Sequence, residues 1–298
     1  MEPWPLIVNP MSGGGRGRAA EALLRSFAER HGGELHFTER EGQGTDLARL
    51  AAEAGVEQIV VGGGDDTVRE ILTGILHLQT PPTLGILPLG TYNNFSRTLQ
   101  LPLDPSQALE IALHGHALPV DLGQVEGRIF TESIGVGFEA EAWTHKPDVE
   151  PVGLGRLVRG ASIALETLGS FAARQFYLTV DGQEEVVRAM NITVANTPEF
   201  AAQVATAPQA SLSDGLLDVC VIKEMSSIEF LAAVPLIVSG LHPFLMTSVH
   251  YEQGQEVTLA ADEALPVRVD GSIDMRLPVR VKILPGRIMV RVPQTQWP

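Results

Sequence analysis

The chain has very few cysteines and few aromatic side chains. Its 298 residues include one cysteine, and Phe, Trp and Tyr together make up 5% of them. One cysteine cannot form a disulfide within the chain. Because Cys220 lies in the apolar run from Leu216 to Ile222, we expect it to be a buried strand residue. Disulfides are therefore excluded as a basis of this fold.

Positive charge is also scarce. The chain carries 21 Lys and Arg against 36 Asp and Glu, a formal net charge of −15. Lysine occurs only at Lys146, Lys223 and Lys282. Such an acidic chain repels nucleic-acid phosphates and anionic lipid headgroups. We therefore expect no nucleic-acid partner.

Long apolar runs are missing as well. The longest, Phe230 to Val238, is interrupted by Pro235, and a membrane span needs about 20 apolar residues. No charged-then-apolar segment opens the sequence, which starts with a short strand-like run from Trp4 to Val8. We expect a cytoplasmic protein whose contact with membranes is peripheral.

The chain is long enough for two hydrophobic cores, with 298 residues and 44% hydrophobic content. Residues 1–118 alternate β-branched runs with helical periodicity, which predicts a doubly wound parallel α/β domain. Closely spaced strands with Gly and Asp turns over 119–286 predict an antiparallel β-sandwich, with one helical insertion from Leu157 to Phe171. The last segment, 287–298, could close either domain.

Three glycine-bearing loops follow strands of the predicted parallel sheet. They run from Asn9 to Gly15, from Gly62 to Thr67 and from Pro88 to Asn94. Ligands of such sheets bind beyond the carboxyl ends of the strands. The sequence therefore predicts that the three loops meet at one edge and bind phosphate.

The middle loop is the most informative. Its three glycines allow a sharp turn and a close approach of the backbone to a ligand, and the next helix directs unpaired N–H groups at the same place. Thr67 and Glu70 also fit a capping box, so part of the motif has an interpretation in helix stability alone. No lysine lies in any of the three loops, which excludes a P-loop NTPase.

Taken together, these motifs resemble the diacylglycerol kinase catalytic domain family, which includes bacterial lipid kinases and sphingosine kinases. That family is distantly similar to NAD kinases and phosphofructokinases. The matching pieces, in chain order, are Asn9-Pro10-x-Ser12-Gly13, Thr38, Gly63-Gly64-Asp65-x-Thr67-Val68, Pro88-Leu89-Gly90-Thr91, Phe95, Arg97, Val120-Asp121-Leu122-Gly123, Ile134-Gly135-x-Gly137-Phe138, Asn196, Pro208-x-Ala210, Asp214-Gly215-Leu216-Leu217-Asp218, Asp270-Gly271 and Leu284-Pro285-Gly286.

The resemblance implies transfer of a phosphoryl group from ATP to a lipid hydroxyl, with magnesium and with the lipid at a membrane surface. The positions that match the family's donor site are Asn9, Ser12, Gly13, Thr38, Gly63, Gly64, Asp65, Asp66, Thr67 and Thr91. Asp65 would act through magnesium, and Asp270 is the second candidate catalytic residue. A structural magnesium would bind Asp214 and the carbonyls of Ser211 and Leu216, although this loop also reads as a plain Asp-Gly turn.

The chain departs from the family pattern where chemistry is expected. Asp66 replaces the glycine of Gly-Gly-Asp-Gly-Thr, and Arg69 replaces an Asn. Asp66 is interpreted either as a helix N-cap paired with Arg69 or as a charge facing the phosphates. The family's Gly-Thr-Gly-Asn-Asp reads Gly90-Thr91-Tyr92-Asn93-Asn94, and its glycine triplet after Asn196 reads Ala201-Ala202-Gln203.

The most serious departure is Ser272, where the family's Asp-Gly-Glu carries the general base. A serine does not accept a proton at neutral pH as a carboxylate does, so Asp270 or Asp274 would have to substitute. Three functions therefore stay open: an ATP-dependent lipid kinase, a non-catalytic protein that binds lipid or a small ligand, and a kinase that uses pyrophosphate. A homodimer is left open too.

Overall fold

The computed structural model describes residues 3–144, 172–200 and 204–294. These form two compact units. Unit 1 contains residues 1–122, 212–215 and 284–298, and unit 2 contains 123–211 and 216–283. The predicted insertion from Leu157 to Phe171 and the departure at Ala201–Gln203 lie outside the described residues.

The described part of the chain contains both helices and strands. The helices are α1 Ser12–Ala19, α2 Glu21–His31, α3 Gln43–Glu53, α4 Asp65–Ile75, α5 Asn94–Thr98, α6 Pro105–His114, α7 Phe138–Thr144, α8 Ser227–Val238 and α9 His242–Leu245. The strands are β1 Trp4–Val8, β2 Gly33–Phe37, β3 Gln58–Gly63, β4 Thr83–Pro88, β5 His116–Val125, β6 Arg128–Phe130, β7 Ser133–Gly137, β8 Arg174–Val180, β9 Gln183–Ala195, β10 Leu217–Lys223, β11 Val249–Gly254, β12 Glu256–Ala261, β13 Pro266–Val269, β14 Ser272–Arg276 and β15 Val279–Val292. None of these helices is both long and apolar enough to cross a bilayer.

The sheet of unit 1 is parallel. Strand β1 pairs with β2 and β3, β3 pairs with β4, and β4 pairs with the end of β15 through Leu84 and Val290. The order is therefore β2-β1-β3-β4-β15. Residues of β1, β3 and β4 are almost all buried, as expected of parallel strands covered on both faces by helices.

Helix α4 shows how the apolar pattern fixes the packing of unit 1. Val68, Ile71, Leu72 and Ile75 recur at the spacing of one helix face, and all four are buried. The helix begins at Asp65 with Gly64 as N-cap, and Gly64 has no side chain to cap it. The predicted capping box of Thr67 and Glu70 is therefore wrong.

Both residues of that predicted box have other positions and contacts than a cap would give them. Thr67 is the third helical residue and is buried. The Glu70 carboxylate accepts a hydrogen bond from the Gly42 N–H at 3.3 Å. The backbone carbonyl of Glu70 accepts one from the Thr45 hydroxyl at 2.9 Å. These bonds join α4 to α3, so a tertiary contact replaces the local cap that the spacing suggested.

Unit 2 is antiparallel. The strand order is β14-β13-β7-β9-β8-β12-β15, and β10 pairs with both β9 and β11. Strand β9 pairs with β8 along its first half and with β7 and β10 along its second half. Four of its apolar residues, Val187, Ala189, Ile192 and Val194, form one core with apolar residues of the neighbouring strands. The predicted fold class, a parallel α/β region followed by an antiparallel sandwich, is confirmed.

Cys220 is 2% exposed in β10, as the sequence predicted. Burial raises the pKa of its thiol to about 12, and the charges of Glu139 and Asp218 act in the same direction. The thiol is therefore protonated at neutral pH and behaves as a small core residue.

Asp121 joins three separate segments of unit 1. It is 3% exposed, and its carboxylate oxygens accept hydrogen bonds from the Gly215 N–H at 2.7 Å and the Gly286 N–H at 2.6 Å. Its own N–H donates to the Leu212 carbonyl at 2.8 Å. Segments 212–215 and 284–286 thus contact β5 through one buried carboxylate.

Replacing Asp121 with alanine is expected to destabilise the protein by about 2–5 kcal/mol, because two partly buried N–H donors would lose their acceptor. The matched control is Asp46→Ala, since Asp46 forms an exposed pair with Arg40 and its side chain is 49% exposed. The control should cost under about 1 kcal/mol. Urea unfolding followed by circular dichroism measures both, and equal shifts of the two midpoints would contradict the anchoring role.

Candidate functional site

In unit 1 the first and second glycine loops meet at Thr67. The Asn9 side-chain amide donates to Thr67 Oγ1 at 3.5 Å, and the Ser12 hydroxyl lies 3.5 Å from the same oxygen. Thr67 is 5% exposed and Ser12 is 8% exposed. Three predicted site residues therefore lie together, as the loop positions indicated.

The second and third loops meet backbone to backbone. A Cβ on Gly90 would lie 2.4 Å from the Gly64 Cα, and a Cβ on Gly64 would lie 3.1 Å from the Gly90 Cα. A Cβ contact below 3.0 Å does not occur without displacement of the neighbour. The Leu89 N–H also donates to the Gly63 carbonyl at 2.9 Å. The close approach of the two loops therefore requires glycine at position 90 and leaves little room for a side chain at position 64.

Asp65 binds the start of α5. Its carboxylate oxygens accept hydrogen bonds from the Asn94 N–H at 3.2 Å and the Phe95 N–H at 3.1 Å. The first N–H groups of a helix have no partner within the helix, and a negative charge is favourable there. Asn93, the N-cap residue, provides no side-chain cap to α5. Asp65 therefore caps a helix that starts 29 residues later in the chain.

Two residues that the sequence analysis missed complete the arrangement. Arg16 Nη1 donates to the Gly90 carbonyl at 2.9 Å and so links the first loop to the third. Asn93 has a left-handed φ of 54°, and its amide both accepts from the Gly90 N–H at 2.8 Å and donates to the Gly90 carbonyl at 2.9 Å. Asn is the residue other than glycine that most readily adopts this conformation, which is the signal that could have identified Asn93.

Glycine occurs in the first loop and in the second loop for different physical reasons. A Cβ on Gly62 or Gly63 would collide with the side chain of Val8 or Thr67, so these glycines are required by packing within the protein. Gly14 and Gly15 have φ values of 76° and 97°, and a Cβ on either would meet nothing within 4 Å. Although these residues fall within the bounds of α1, their backbone is not helical, so the first loop presents left-handed backbone to open space.

Asp66 points away from these contacts. Its side chain is 76% exposed and forms an ion pair with Arg69 at 2.9 Å. The predicted pairing with Arg69 is thus present, but the N-cap interpretation is wrong because Asp66 is the second residue of α4. As part of the first turn, its charge still lies at the favourable end of the helix.

The three remaining donor-site positions, Thr38, Thr91 and Gly13, lie in the loops or directly beside them. Thr38 directly follows β2, and its N–H donates to the Val8 carbonyl at 2.9 Å, beside the start of the first loop. Thr91 is exposed in the third loop. Gly13 lies in the first loop, where a Cβ would come within 2.2 Å of the Leu89 carbonyl oxygen.

In unit 2, Asp270 is a buried residue of a tight turn. It has a φ of 46° and is 3% exposed. Its carboxylate accepts hydrogen bonds from the N–H groups of three successive residues, Thr131 at 3.1 Å, Glu132 at 2.9 Å and Ser133 at 3.3 Å. The carboxylate thereby fixes the start of β7 against the turn that follows β13.

Two further side chains hold the same turn. Arg268 is fully buried, donates to the Asp270 carbonyl at 2.6 Å and lies 3.6 Å above the Phe200 ring. It forms an ion pair with Glu139, which also accepts a hydrogen bond from the Thr193 hydroxyl at 2.9 Å. The buried positive charge of Arg268 is therefore balanced by the Glu139 carboxylate, whose side chain is 12% exposed.

Ser272 lies in a small polar cluster just beyond the turn. Its hydroxyl accepts a hydrogen bond from Arg128 Nη2 at 2.9 Å and donates to the Val269 carbonyl at 3.1 Å. Arg128 also forms an ion pair with Asp274. Arg128 could not be predicted from the sequence, because no motif links it to residues more than 140 positions away.

The predicted metal loop is divided between the units. Asp214 is exposed and belongs to unit 1, whereas Ser211 and Leu216 lie at the bounds of unit 2. Within the described residues, no group of three or more His, Cys, Asp or Glu side chains is placed to hold a metal ion. The predicted ligands are one carboxylate and two backbone carbonyls, so the absence of such a side-chain group does not test this site. The structural magnesium therefore stays a prediction.

Comparisons with known proteins agree with the resemblance seen in the sequence. Residues 3–125 match the family model described as the diacylglycerol kinase catalytic domain. Residues 132–292 match the model described as the YegS C-terminal NAD kinase beta sandwich-like domain. Together the two models cover most of both units.

Similar proteins span nearly the whole chain. One is named "Probable lipid kinase YegS-like", from Chromohalobacter salexigens, and is 30% identical over 92% of this chain and 88% of its own length. The diacylglycerol kinase of Bacillus subtilis is 29% identical over 97% and 96%. A crystal structure of a diacylglycerol kinase from Bacillus anthracis has the same fold, with a TM-score of 0.76 at 23% identity over 98% and 97% of the two chains. This chain belongs to the diacylglycerol kinase catalytic domain family of lipid kinases.

Proposed function

We propose that this protein transfers the terminal phosphoryl group of ATP, with magnesium, to the hydroxyl of a diacylglycerol-like lipid. One observation carries the proposal: the three glycine loops of unit 1 are joined by hydrogen bonds at Thr67, Asp65 and Gly90. Relatives named for diacylglycerol support that class of acceptor.

The donor set of unit 1 suits a phosphate and a magnesium ion. The open left-handed backbone at Gly14 and Gly15 can approach a phosphate without hindrance from a Cβ. Magnesium prefers carboxylate oxygens and phosphates, and Asp65 provides a carboxylate at the start of α4. Bound there, magnesium would neutralise negative charge that develops on the transferred group.

In this proposal the protein acts mainly by positioning. Phosphoryl transfer requires little covalent help, so a rigid and suitably charged site supplies most of the acceleration. The bonds from Asp65 to α5 and from Arg16 to Gly90 fix the loops before the donor binds. Asn9, Ser12 and Thr67 would place one amide and two hydroxyl groups against the phosphates.

The setting of the reaction is part of the same proposal. A diacylglycerol-like acceptor is embedded in a bilayer, so the protein would contact a membrane surface peripherally. We place it in the cytoplasm, where ATP is available, and a homodimer is compatible with this activity. The acidic chain would bind neutral bilayers more readily than anionic ones, because its net charge is −15.

A second candidate function is a non-catalytic protein that binds lipid. The observation in its favour is Ser272, whose hydroxyl is held by Arg128 where the family carries a carboxylate base. Loss of a general base typically costs about 10²- to 10⁴-fold in rate. A descendant that had lost catalysis could therefore retain the fold and the lipid site.

The first test is direct phosphorylation. Purified protein with magnesium and labelled ATP should transfer phosphate to diacylglycerol in mixed micelles, and Asp65→Asn should abolish the transfer because a neutral amide replaces the carboxylate. Asp46→Asn is the matched control, since Asp46 forms an exposed pair with Arg40, and it should leave the rate unchanged. Absence of labelled product from a broad panel of hydroxyl lipids would favour the binding protein instead.

The second test concerns the phosphoryl donor. In phosphofructokinases, which this family resembles at the Gly-Gly-Asp loop, Asp at this position accompanies pyrophosphate and Gly accompanies ATP. We expect Asp66→Gly to tighten ATP binding at least about tenfold, roughly 1.4 kcal/mol, because a carboxylate near the inner phosphate is removed. Calorimetric titration measures this, with pyrophosphate as a second ligand.

The exposure of Asp66 and its pair with Arg69 give the competing expectation. If the side chain never approaches a phosphate, Asp66→Gly leaves the ATP affinity unchanged and only lowers the melting temperature. Asp66→Asn separates the two causes, since it removes the charge without adding a helical glycine. Unchanged affinity in both variants would overturn the donor-exclusion idea.

The third test concerns the predicted structural magnesium. A divalent ion that binds only the native state raises the thermal midpoint. Magnesium should therefore raise the midpoint of the wild type, and Asp214→Ala should remove that rise. Asp262→Ala, another exposed acid, should retain it. An equal response of the wild type and Asp214→Ala would show that the loop is only a turn.

A further inference from the structure

The inner face of α8 packs on strands of unit 2. Phe230 and Ala233 of this helix are each 4% exposed, and the Phe230 ring centroid lies 4.7 Å from that of Phe138. Phe230 also shares a core cluster with Met190 of β9 and Ile222 of β10. This packing fixes the position of α8 within unit 2.

The outer face of α8 is apolar as well. Ile228, Leu231 and Val238 are spaced along one face of the helix, away from Phe230 and Ala233. All three are exposed, and Ile228 is 82% exposed. A helix at the surface of a globular protein normally carries polar residues on the face opposite its core. The outer face of α8 therefore departs from the ordinary pattern of a surface helix.

Exposed apolar residues continue from α8 into α9. Gly240 has a φ of 72°, and its N–H donates to the Ile237 carbonyl at 3.2 Å. The Leu241 N–H donates to the Leu236 carbonyl at 2.9 Å. These are the two hydrogen bonds of a Schellman motif, which ends a helix with a left-handed glycine. The chain thus reaches α9 within one turn, and Phe244 of α9 is 64% exposed.

These side chains are concentrated in one short segment. In the described part of the chain twelve large apolar side chains are exposed, and half of them fall between positions 228 and 245. Single exposed apolar residues are normal, whereas a contiguous group marks a site of interaction. We call this group the α8–α9 face, and its members are Ile228, Leu231, Val238, Leu241, Phe244 and Leu245.

The segment that carries the α8–α9 face has almost no charge. Between Glu224 and His250 the sequence contains no Lys or Arg and a single acid, Glu229. The Glu229 carboxylate caps the start of α8, where it accepts from the Ser226 N–H at 2.8 Å and from the Ser226 hydroxyl at 2.7 Å. Burial lowers the pKa of His242, so that its ring is neutral at pH 7. A partner of this face therefore needs apolar groups and no opposite charge.

A lipid bilayer meets this requirement better than a second copy of the chain. A stable dimer uses about 20–30 residues on each side and surrounds its apolar centre with a polar rim. An interfacial helix needs only one apolar face, which lies about 5–10 Å deep at the boundary of headgroups and acyl chains. The net charge of −15 repels anionic headgroups, so the binding would depend on apolar burial in zwitterionic lipid.

We propose that the α8–α9 face inserts into the surface of a zwitterionic bilayer. The choice of a bilayer rests on the proposed function, since a diacylglycerol-like acceptor is embedded in one. Removal of the six exposed side chains from water drives the binding. The inner face of α8 stays packed on unit 2, so the helix enters the bilayer surface without a change of fold.

Cysteine labelling tests the insertion at single positions. Cys220 is the only native cysteine, and its buried thiol, with a pKa raised to about 12, does not react with a thiol reagent at pH 7. Leu245→Cys labelled with an environment-sensitive fluorophore should give a brighter, blue-shifted emission when phosphatidylcholine vesicles are added. Leu50→Cys is the matched control, because Leu50 of α3 is 64% exposed, as Leu245 is, and its emission should not change.

Sedimentation with the same vesicles measures the affinity. The double variant Phe244→Ser, Leu245→Ser should bind at least about tenfold more weakly than the wild type, because two apolar side chains are no longer buried. Leu50→Ser should bind as the wild type does. The melting temperatures should stay near the wild-type value, since all three replaced side chains are exposed.

These measurements omit ATP, so their outcome is separate from that of the kinase assay. An unchanged emission of labelled Leu245→Cys, or equal vesicle affinity of the wild type and the double variant, would overturn the insertion even in a protein that phosphorylates lipid. An emission change that grows with protein concentration and needs no vesicles would assign the face to a second copy of the chain instead. Vesicle binding through this face without phosphorylation of any lipid would refute the kinase function and leave the surface assignment in place.

Discussion

The approach of Gly64 to Gly90 is the constraint on which the donor-side structure depends. Because the two backbones touch, the loop after β3 and the loop after β4 form one surface. The contact places Asp65 against the N–H groups that open α5, and it brings the Gly90 carbonyl within reach of Arg16. A side chain at Gly90 would displace the Gly64 backbone and so separate the two loops.

The departures from the family pattern come with charged partners. Asp66 adds a negative charge at the start of α4, and Arg69, also a departure, forms an ion pair with it. Ser272 stands where the family has a carboxylate, and Asp274 lies two residues away with Arg128 bound to both. Each of these two departures therefore has a charged side chain in contact with it.

The parts of the structure that depend on local pattern could be predicted from the sequence. The apolar periodicity of α4 and the β-branched runs of β1, β3 and β4 identified the parallel unit, and the glycine loops were placed correctly at strand ends. The capping box failed because Glu70 has a tertiary partner, the Gly42 N–H, which no local rule contains. Arg16 and Arg128 were missed because each acts on residues distant in the chain.

The central claim is that the three loops of unit 1 bind the phosphoryl donor. Hydrogen–deuterium exchange with and without ATP and magnesium tests it most directly, since ligand contact slows the exchange of backbone amides. The account predicts slower exchange in segments 9–15, 62–67 and 88–95, and little change on the outer face of α2. Protection confined to other segments, or none at saturating ATP and magnesium, would contradict it.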